Sequence, residues 1–250
     1  MGKNSQIDLT YTYPIPVEKA TFHSRPNRFI VEVKYNNEIL VCHLPNPGRM
    51  QELLLPNSTV FITFHSSPTR RTKASLVAVQ FEDEIIQLQS NLVANWLPQD
   101  IGTNEVPGIE NWKVKHKEFT IGIHRFDFIL INPDGEKVIT EIKSTTRVKN
   151  GVACFPDGVS SRASKHLNAL MDLAKKGEKS LVIFIVQRFA SSFWPCEQVD
   201  PIFTKVFKKA LKVPNLQILV TLAVSSIVSK SGKNYIQIKF IDQLRIEKPK

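Results

Sequence analysis

Two apolar runs on either side of a turn constrain this chain more than any other feature. Phe126-Asp127-Phe128-Ile129-Leu130-Ile131 precedes Asn132-Pro133-Asp134-Gly135, and Val138-Ile139-Thr140-Glu141-Ile142-Lys143 follows it. Apolar runs bounded by Pro, Asp and Gly read as two strands of a hairpin. Their near-continuous apolar character suits strands covered on both faces. Each run nevertheless carries an acid. A buried lone carboxylate is costly, so Asp127 and Glu141 need a partner or a cation. Strand alternation places Glu141 and Lys143 on one face and Ile142 on the other. With Pro133, Asp134 and Gly135 as the loop, Asp127 falls opposite Glu141, at a cross-strand Cβ separation of ~5 Å. A loop one residue shorter or longer shifts the register and separates them.

Around this hairpin the chain divides into two parts. Before it, short alternating segments predict strands over Arg28 to Tyr35, Ile39 to His43, Thr59 to His65, Ala74 to Phe81 and Ile85 to Leu88. Asn36-Asn37 reads as a hairpin turn. Pro45-Asn-Pro-Gly48 breaks the chain, and Arg49 to Leu55 allows one or two helical turns. Five short strands with one short helix suit a β-barrel of OB type. A helix from Ser90 or Asn91 through Leu97 and a joint over Gln99 to Asn111 lead into the second part. There a strand over Lys113 to Phe119 and the two runs above are followed by a helix from about Ser160 to Lys176, closed by Gly177. Leu167, Leu170, Met171 and Ala174 form its apolar stripe. An apolar strand over Leu181 to Val186, a helix over Pro201 to Leu211, and strands near Gln217 to Ala223 and Tyr235 to Ile241 complete the pattern. Strands interleaved with helices indicate an α/β or α+β domain. The expected division is a barrel over residues 1–90 and an α/β domain over 91–250.

Charge is unevenly distributed. The 250 residues carry a net +10, but up to Glu110 there are 9 Lys and Arg against 11 Asp and Glu, and beyond it 24 against 12. The second part alone is therefore cationic, as a polyanion-binding surface requires, although charge alone fits a solvated surface equally well. No apolar run reaches the ~20 residues of a membrane span, and the first residues lack an apolar signal region. Cys42, Cys154 and Cys196 lack zinc-ligand spacing and read as separate buried thiols in a reducing cytoplasm.

Two carboxylates and a lysine on adjacent strands are suited to phosphodiester chemistry. Asp127 and Glu141 can ligate Mg²⁺ (or Mn²⁺), which prefers oxygen donors and retains waters. Lys143 can orient a water or offset developing negative charge. Glu118, Asp157 and Gln187 are candidate accessory residues, with Asp157 read first as a helix-start cap. Arg162, Lys165 and His166, at the start of the long helix, and Arg188, after an apolar strand, are candidate phosphate contacts. So are Arg70, Arg71 and Lys73, a basic patch in the first part. His166 reads alternatively as a hydrogen-bonded structural histidine, and Gln187 and Arg188 as marking only where their strand leaves the core. Trp96, Trp112 and Trp194 form no stacking ladder and read as core residues.

Several segments together resemble one family. His43-Leu-Pro-Asn-Pro-Gly-Arg-Met50, Gly151-Val-Ala-Cys-Phe-Pro-Asp157, Lys165-His166-Leu167, Val186-Gln-Arg188, Arg125-Phe-Asp-Phe128 and Glu141-Ile-Lys-Ser144 are similar to motifs of the sugar fermentation stimulation proteins (SfsA). The likeness runs from about Phe29 to Pro201. His124, Ala163 and Ala190 depart from the family pattern. The resemblance implies an OB-like N-terminal domain, a PD-(D/E)xK nuclease-like C-terminal domain, non-specific DNA binding and a role in sugar metabolism. It places Asp127, Glu141 and Lys143 on the nuclease-like motif. The expected function is a DNA-binding protein with a Mg-dependent nuclease-type site; the alternative is a non-catalytic DNA-binding regulator that keeps only the nuclease fold.

Overall fold

The structure, a computed structural model, describes residues 10–67, 69–90, 97, 101 and 106–249. Most of the helix expected before Leu97 lies outside these residues, as do Trp96 and part of the joint expected between the two domains.

The described residues begin with β1 (Thr10–Thr12), β2 (Glu18–Ser24), β3 (Ile30–Tyr35), β4 (Glu38–His43), β5 (Thr59–Phe64), β6 (Ala74–Phe81) and β7 (Glu84–Gln87). Antiparallel pairing runs β4-β3-β2-β5-β6, and a parallel pairing of β4 with β6, Cys42 to Ala74 and His43 to Ser75, closes the circle. This is an OB-type barrel. Asn36 and Asn37 both have positive φ, 50° and 66°, as the tight turn between Tyr35 and Glu38 demands. Val31, Val33, Leu44, Leu53, Ile62 and Leu76 fill the interior without exposure to solvent. Arg49 to Leu55 forms turns rather than a regular helix.

The barrel's strand membership differs from the sequence expectation. Its fifth stave is β2, whereas β7, expected inside the barrel, pairs with β6 and then leads outward. β2 is inconspicuous because only Ala20 and Phe22 turn inward along its length.

The second domain contains β8 (Lys113–Ile121), β9 (His124–Ile131), β10 (Lys137–Thr145), β11 (Val148–Lys149), β12 (Val152–Ala153), α1 (Ser161–Lys175), β13 (Lys179–Val186), β14 (Ser192–Phe193), α2 (Pro201–Ala210), β15 (Leu216–Lys230), β16 (Lys233–Gln243) and β17 (Arg245–Ile246). β8, β9 and β10 form an antiparallel meander, while β10, β13 and β15 are parallel, with α1 and α2 as the crossovers. One face of this sheet packs on the helices through Leu167, Leu170, Phe184, Phe203 and Phe207. The other packs Leu130, Ile142, Ile183 and Leu219 against Phe61, Val77 and Ala78 of the barrel.

Both helices are capped as their sequences direct. The Ser160 hydroxyl accepts the Ala163 N–H at 3.2 Å, and the Asp200 carboxylate accepts the Phe203 N–H at 2.8 Å. Asp200 also accepts the Ser160 N–H at 2.8 Å, which fastens one helix start to the other. Gly177, with φ of 95°, ends α1 while its N–H reaches the Ala174 carbonyl at 3.1 Å, a left-handed cap that glycine adopts without strain.

Two connections join the domains within one sheet. Ile85 of β7 pairs with Ser225 of β15. At the other end β1 pairs with β16, Thr10 opposite Lys239 and Thr12 opposite Gln237. β1, although it precedes the barrel strands in sequence, is thus added to the C-terminal sheet. Among the described residues, no helix is long and apolar enough to cross a membrane.

Candidate active site

The hairpin register follows from its loop. Asn132 and Glu136 close Pro133-Asp134-Gly135: the Asn132 N–H donates to the Glu136 carbonyl at 3.1 Å and Gly135 N–H to the Asn132 carbonyl at 3.0 Å. The ladder then runs Ile131 to Lys137, Leu130 to Val138, Ile129 to Ile139 and Phe128 to Thr140. In this register the next pair would be Asp127 with Glu141, but the ladder stops before it. β9 continues alongside β8 and β10 alongside β13, so the sheet splits at the two acids. Into that split the Asp127 carboxylate reaches and accepts the Ile142 N–H at 2.7 Å.

Alternation along β10 orients the rest. Val138 and Ile142 face the barrel side, while Ile139 faces the helices, and Glu141 and Lys143 share the face of Ile139. Glu141 is 3% exposed. Its Oε1 accepts from the Lys143 ammonium, and His166 Nδ1 lies 2.6 Å from the same oxygen. Its Oε2 is buried and has no hydrogen-bond partner among the described residues. His166 packs edge-on to Phe126, with ring centroids 6.0 Å apart, which fixes the imidazole plane.

The two acids have opposite electrostatics. Burial, together with the neighbouring Glu141 charge, pushes the Asp127 carboxyl above its ordinary range despite the Ile142 N–H and Lys143. Burial alone would push Glu141 upward as well, but the His166 hydrogen bond and the Lys143 charge outweigh it and hold Glu141 below the usual carboxylate range. Glu141 is thus a firmly ionised hub, whereas Asp127 is a carboxylate short of positive charge.

The donor set suits a divalent cation. Both acids offer hard oxygen ligands, one buried carboxylate oxygen is unsatisfied, and the charges of Lys143 and His166 do not offset the burial of Asp127. Among the described residues, no group of three or more His, Cys, Asp and Glu side chains is arranged to hold a metal. A cation here would therefore rely on the two carboxylates and on oxygens from water or substrate.

The other sequence candidates are dispersed. His166, read as a phosphate contact sharing a face with Arg162 or instead as a hydrogen-bonded structural histidine, turns inward to Glu141, while Arg162 and Lys165 are exposed at the start of α1. The spacing contained the signal, because His166 stands one turn before Leu170 and so falls on the buried stripe. Glu118 is turned to solvent by a left-handed backbone, φ of 51°, and pairs with exposed Arg125 at 3.8 Å. Gln187 is buried and donates to the Ser144 Oγ at 2.5 Å, bracing the strand end beside Lys143.

Two candidates belong to the junction between domains. Asp157 caps no helix; Ser160 does that. Asp157 accepts the Met50 N–H at 2.6 Å and pairs with Arg147 at 3.1 Å, and Arg147 also lies 3.7 Å from Glu52. Arg188, read either as a phosphate contact or as marking where its strand leaves the core, is buried with its guanidinium 4.7 Å above the Phe81 ring of the barrel. Beside it the Phe189 N–H donates to Glu84 at 2.8 Å. Arg70, Arg71 and Lys73 are exposed between β5 and β6. Trp112 and Trp194 are half-buried.

The sequence matches two family models in tandem, the SfsA N-terminal OB domain over residues 24–88 and the sugar fermentation stimulation protein RE domain over residues 87–225. The chain belongs to the sugar fermentation stimulation protein family. It is 35% identical over 196 residues to the sugar fermentation stimulation protein homolog of Alkaliphilus metalliredigens, covering 78% of this chain and 84% of that protein. It is 33% identical over 197 residues to the homolog of Clostridium tetani, covering 78% and 86%. Pyrococcus furiosus SfsA, solved in complex with Ca²⁺, superposes with a TM-score of 0.83 at 23% identity, covering 96% of this chain and 99% of that one. As in the family's two models, the architecture is an OB barrel followed by a second, α/β domain that the RE-domain model matches.

Proposed function

We propose that this chain is a DNA-binding protein, largely indifferent to sequence, with a divalent-metal-dependent phosphodiesterase site at Asp127, Glu141 and Lys143. The observation that carries this reading is the splitting of the sheet beside Asp127 and Glu141, two acids of one register that act on each other electrostatically, with Lys143 paired to Glu141. Mg²⁺ or Mn²⁺ held by Asp127 and Glu141 would neutralise phosphodiester charge and lower the pKa of a water. Lys143 would orient that water and offset charge on the phosphoryl oxygens. His166 would keep Glu141 aligned. The excess of 24 Lys and Arg over 12 acids beyond Glu110 supports a polyanionic ligand. Exposed Arg162 and Lys165 at the start of α1, and Arg70, Arg71 and Lys73 on the barrel, are suited to contact its backbone. The Ca²⁺ in the solved Pyrococcus protein supports a hard-cation site. A cytoplasmic location fits such a ligand.

One observation favours a second reading, a non-cleaving DNA-binding regulator. Glu141 Oε1 is satisfied by both Lys143 and His166, so half the cation site is internally neutralised. The name borne by the curated relatives also fits regulation of sugar metabolism. Purified protein incubated with labelled single- and double-stranded DNA, with and without Mg²⁺ or Mn²⁺, separates the two. Metal-dependent cleavage that Glu141→Gln abolishes is expected. Binding with no cleavage in either metal would refute the enzymatic reading and leave the regulator.

A further inference from the structure

Cys154 and Cys196, 42 positions apart in sequence, meet in the fold. Their Sγ atoms are 2.8 Å apart. The backbone holds the two segments side by side. Ala153 of β12 pairs in parallel with Phe193 of β14, the Trp194 N–H donates to the Ala153 carbonyl at 3.0 Å, and the Cys196 N–H donates to the Phe155 carbonyl at 2.8 Å. Cys154 is buried and Cys196 half-buried, so one sulfur is sheltered and the other open to a small reagent. The Cys154 N–H donates to the Arg147 carbonyl at 2.9 Å, and the Arg147 charge acts on both sulfurs. Cys42 stands apart, fully buried in the barrel.

We propose that Cys154 and Cys196 form a thiol-oxidation site, a dithiol that a hydroperoxide converts to an intramolecular disulfide. The pair is electronically divided for this task. A hydrogen bond from Cys154 and the Arg147 charge lower the Cys196 thiol to about 7, while the Cys154 thiol is raised. The more exposed sulfur is thus the better nucleophile at neutral pH. Cys196 thiolate attacks a peroxide oxygen: an S–O bond forms, the O–O bond breaks, and hydroxide leaves to take up a proton. Cys154 then attacks the sulfenic sulfur: the S–S bond forms, the S–O bond breaks, and the hydroxyl departs as water with the Cys154 proton. Two thiols and one hydrogen peroxide yield one disulfide and two waters.

The location gives this chemistry a consequence. Cys154 lies in the segment between β10, which carries Glu141 and Lys143, and α1, which carries His166. The same segment contains Asp157, which holds Met50 of the barrel. Oxidation removes the thiolate partner of Arg147 at the junction between domains and ties this segment to the start of α2.

The full chain, reduced and then exposed to one equivalent of hydrogen peroxide, is alkylated and digested with trypsin without reductant. The expected product joins residues 150–162 to residues 189–205, about 2 Da lighter than the two free peptides together, with Cys42 still alkylated. In folded Cys154→Ser protein the sulfenic acid on Cys196 should persist and be captured by a 1,3-diketone. Complete alkylation of both cysteines after peroxide, or separate overoxidation of each without a linked peptide, would overturn the proposal.

Discussion

Replacing Glu141 with alanine should destabilise the fold as well as remove the site. The carboxylate is 3% exposed and its Oε1 serves both Lys143 and His166. Truncation leaves an ammonium whose side chain is only 16% exposed, and an imidazole whose side chain is 10% exposed, without their acceptor. Removing one member of a buried ion pair typically costs ~3–5 kcal/mol. At ~2–4 °C per kcal/mol for a chain of this size, melting should fall by roughly 6–20 °C. Glu141→Gln, which keeps a carbonyl acceptor, should lose distinctly less. The pH dependence carries a second signature. The Glu141 carboxyl is held below its unfolded value, so its contribution is present above the unfolded pKa and is lost as pH falls through the folded one. Thermal melts followed by circular dichroism in chelator, from pH 7 downward, should show the Glu141→Ala deficit in full at neutral pH and shrinking under acid conditions. A melting point within ~2 °C of the parent at pH 7, a shift smaller than 1 kcal/mol would give, would refute the assignment of Glu141 as an ion-pair hub.

The neighbouring acid should behave in the opposite sense. Asp127 has its pKa raised by burial and by the Glu141 charge, so its ionised form opposes folding at neutral pH and this opposition fades toward the unfolded pKa. Asp127→Asn should therefore raise the melting point of metal-free protein at pH 7 while eliminating any cleavage, with the gain disappearing on acidification; a lowered melting point at pH 7 would contradict this. DNA binding should weaken steeply with salt, and removing exposed Arg162 and Lys165 together should reduce the log–log slope by ~2 if each contacts a phosphate. Titration across a range of salt concentrations reads this directly, and an unchanged slope would remove the start of α1 from the interface.

What could be read from the sequence was local. The hairpin register is set by three loop residues, and Pro133-Asp134-Gly135 declare themselves. The stripe of Leu167, Leu170, Met171 and Ala174 and the stop at Gly177 follow from helical period and left-handed backbone preference. The less visible features depend on long-range pairings. β2 carries too little apolar character to stand out from its neighbours. Asp157 looks like a helix-start cap because it stands just before α1, and only the fold brings Met50 to it. Arg188 reads as a surface cation until Phe81 is placed beneath it. The pairing of Glu141 with His166 joins a strand to a helix face, and no spacing rule connects them. The same holds for Cys154 and Cys196, which resemble isolated thiols in one dimension.

The pairing of β1 with β16 also bears on how the chain is made. The barrel strands β2 to β6 all lie within the first 81 residues and can close while later residues are still being synthesised. Thr10 finds its partner only when Lys239 exists. The Val17 N–H donates to the Asn234 carbonyl at 2.8 Å and the Tyr13 N–H to the Ile236 carbonyl at 2.7 Å, so the segment from Thr10 to Val17 awaits the same strand. Contacts of such long separation form slowly because loop closure must precede them. On the ribosome, Thr10 to Val17 are among the last of the described residues to reach their native place, and until then β16 lacks β1 along that edge.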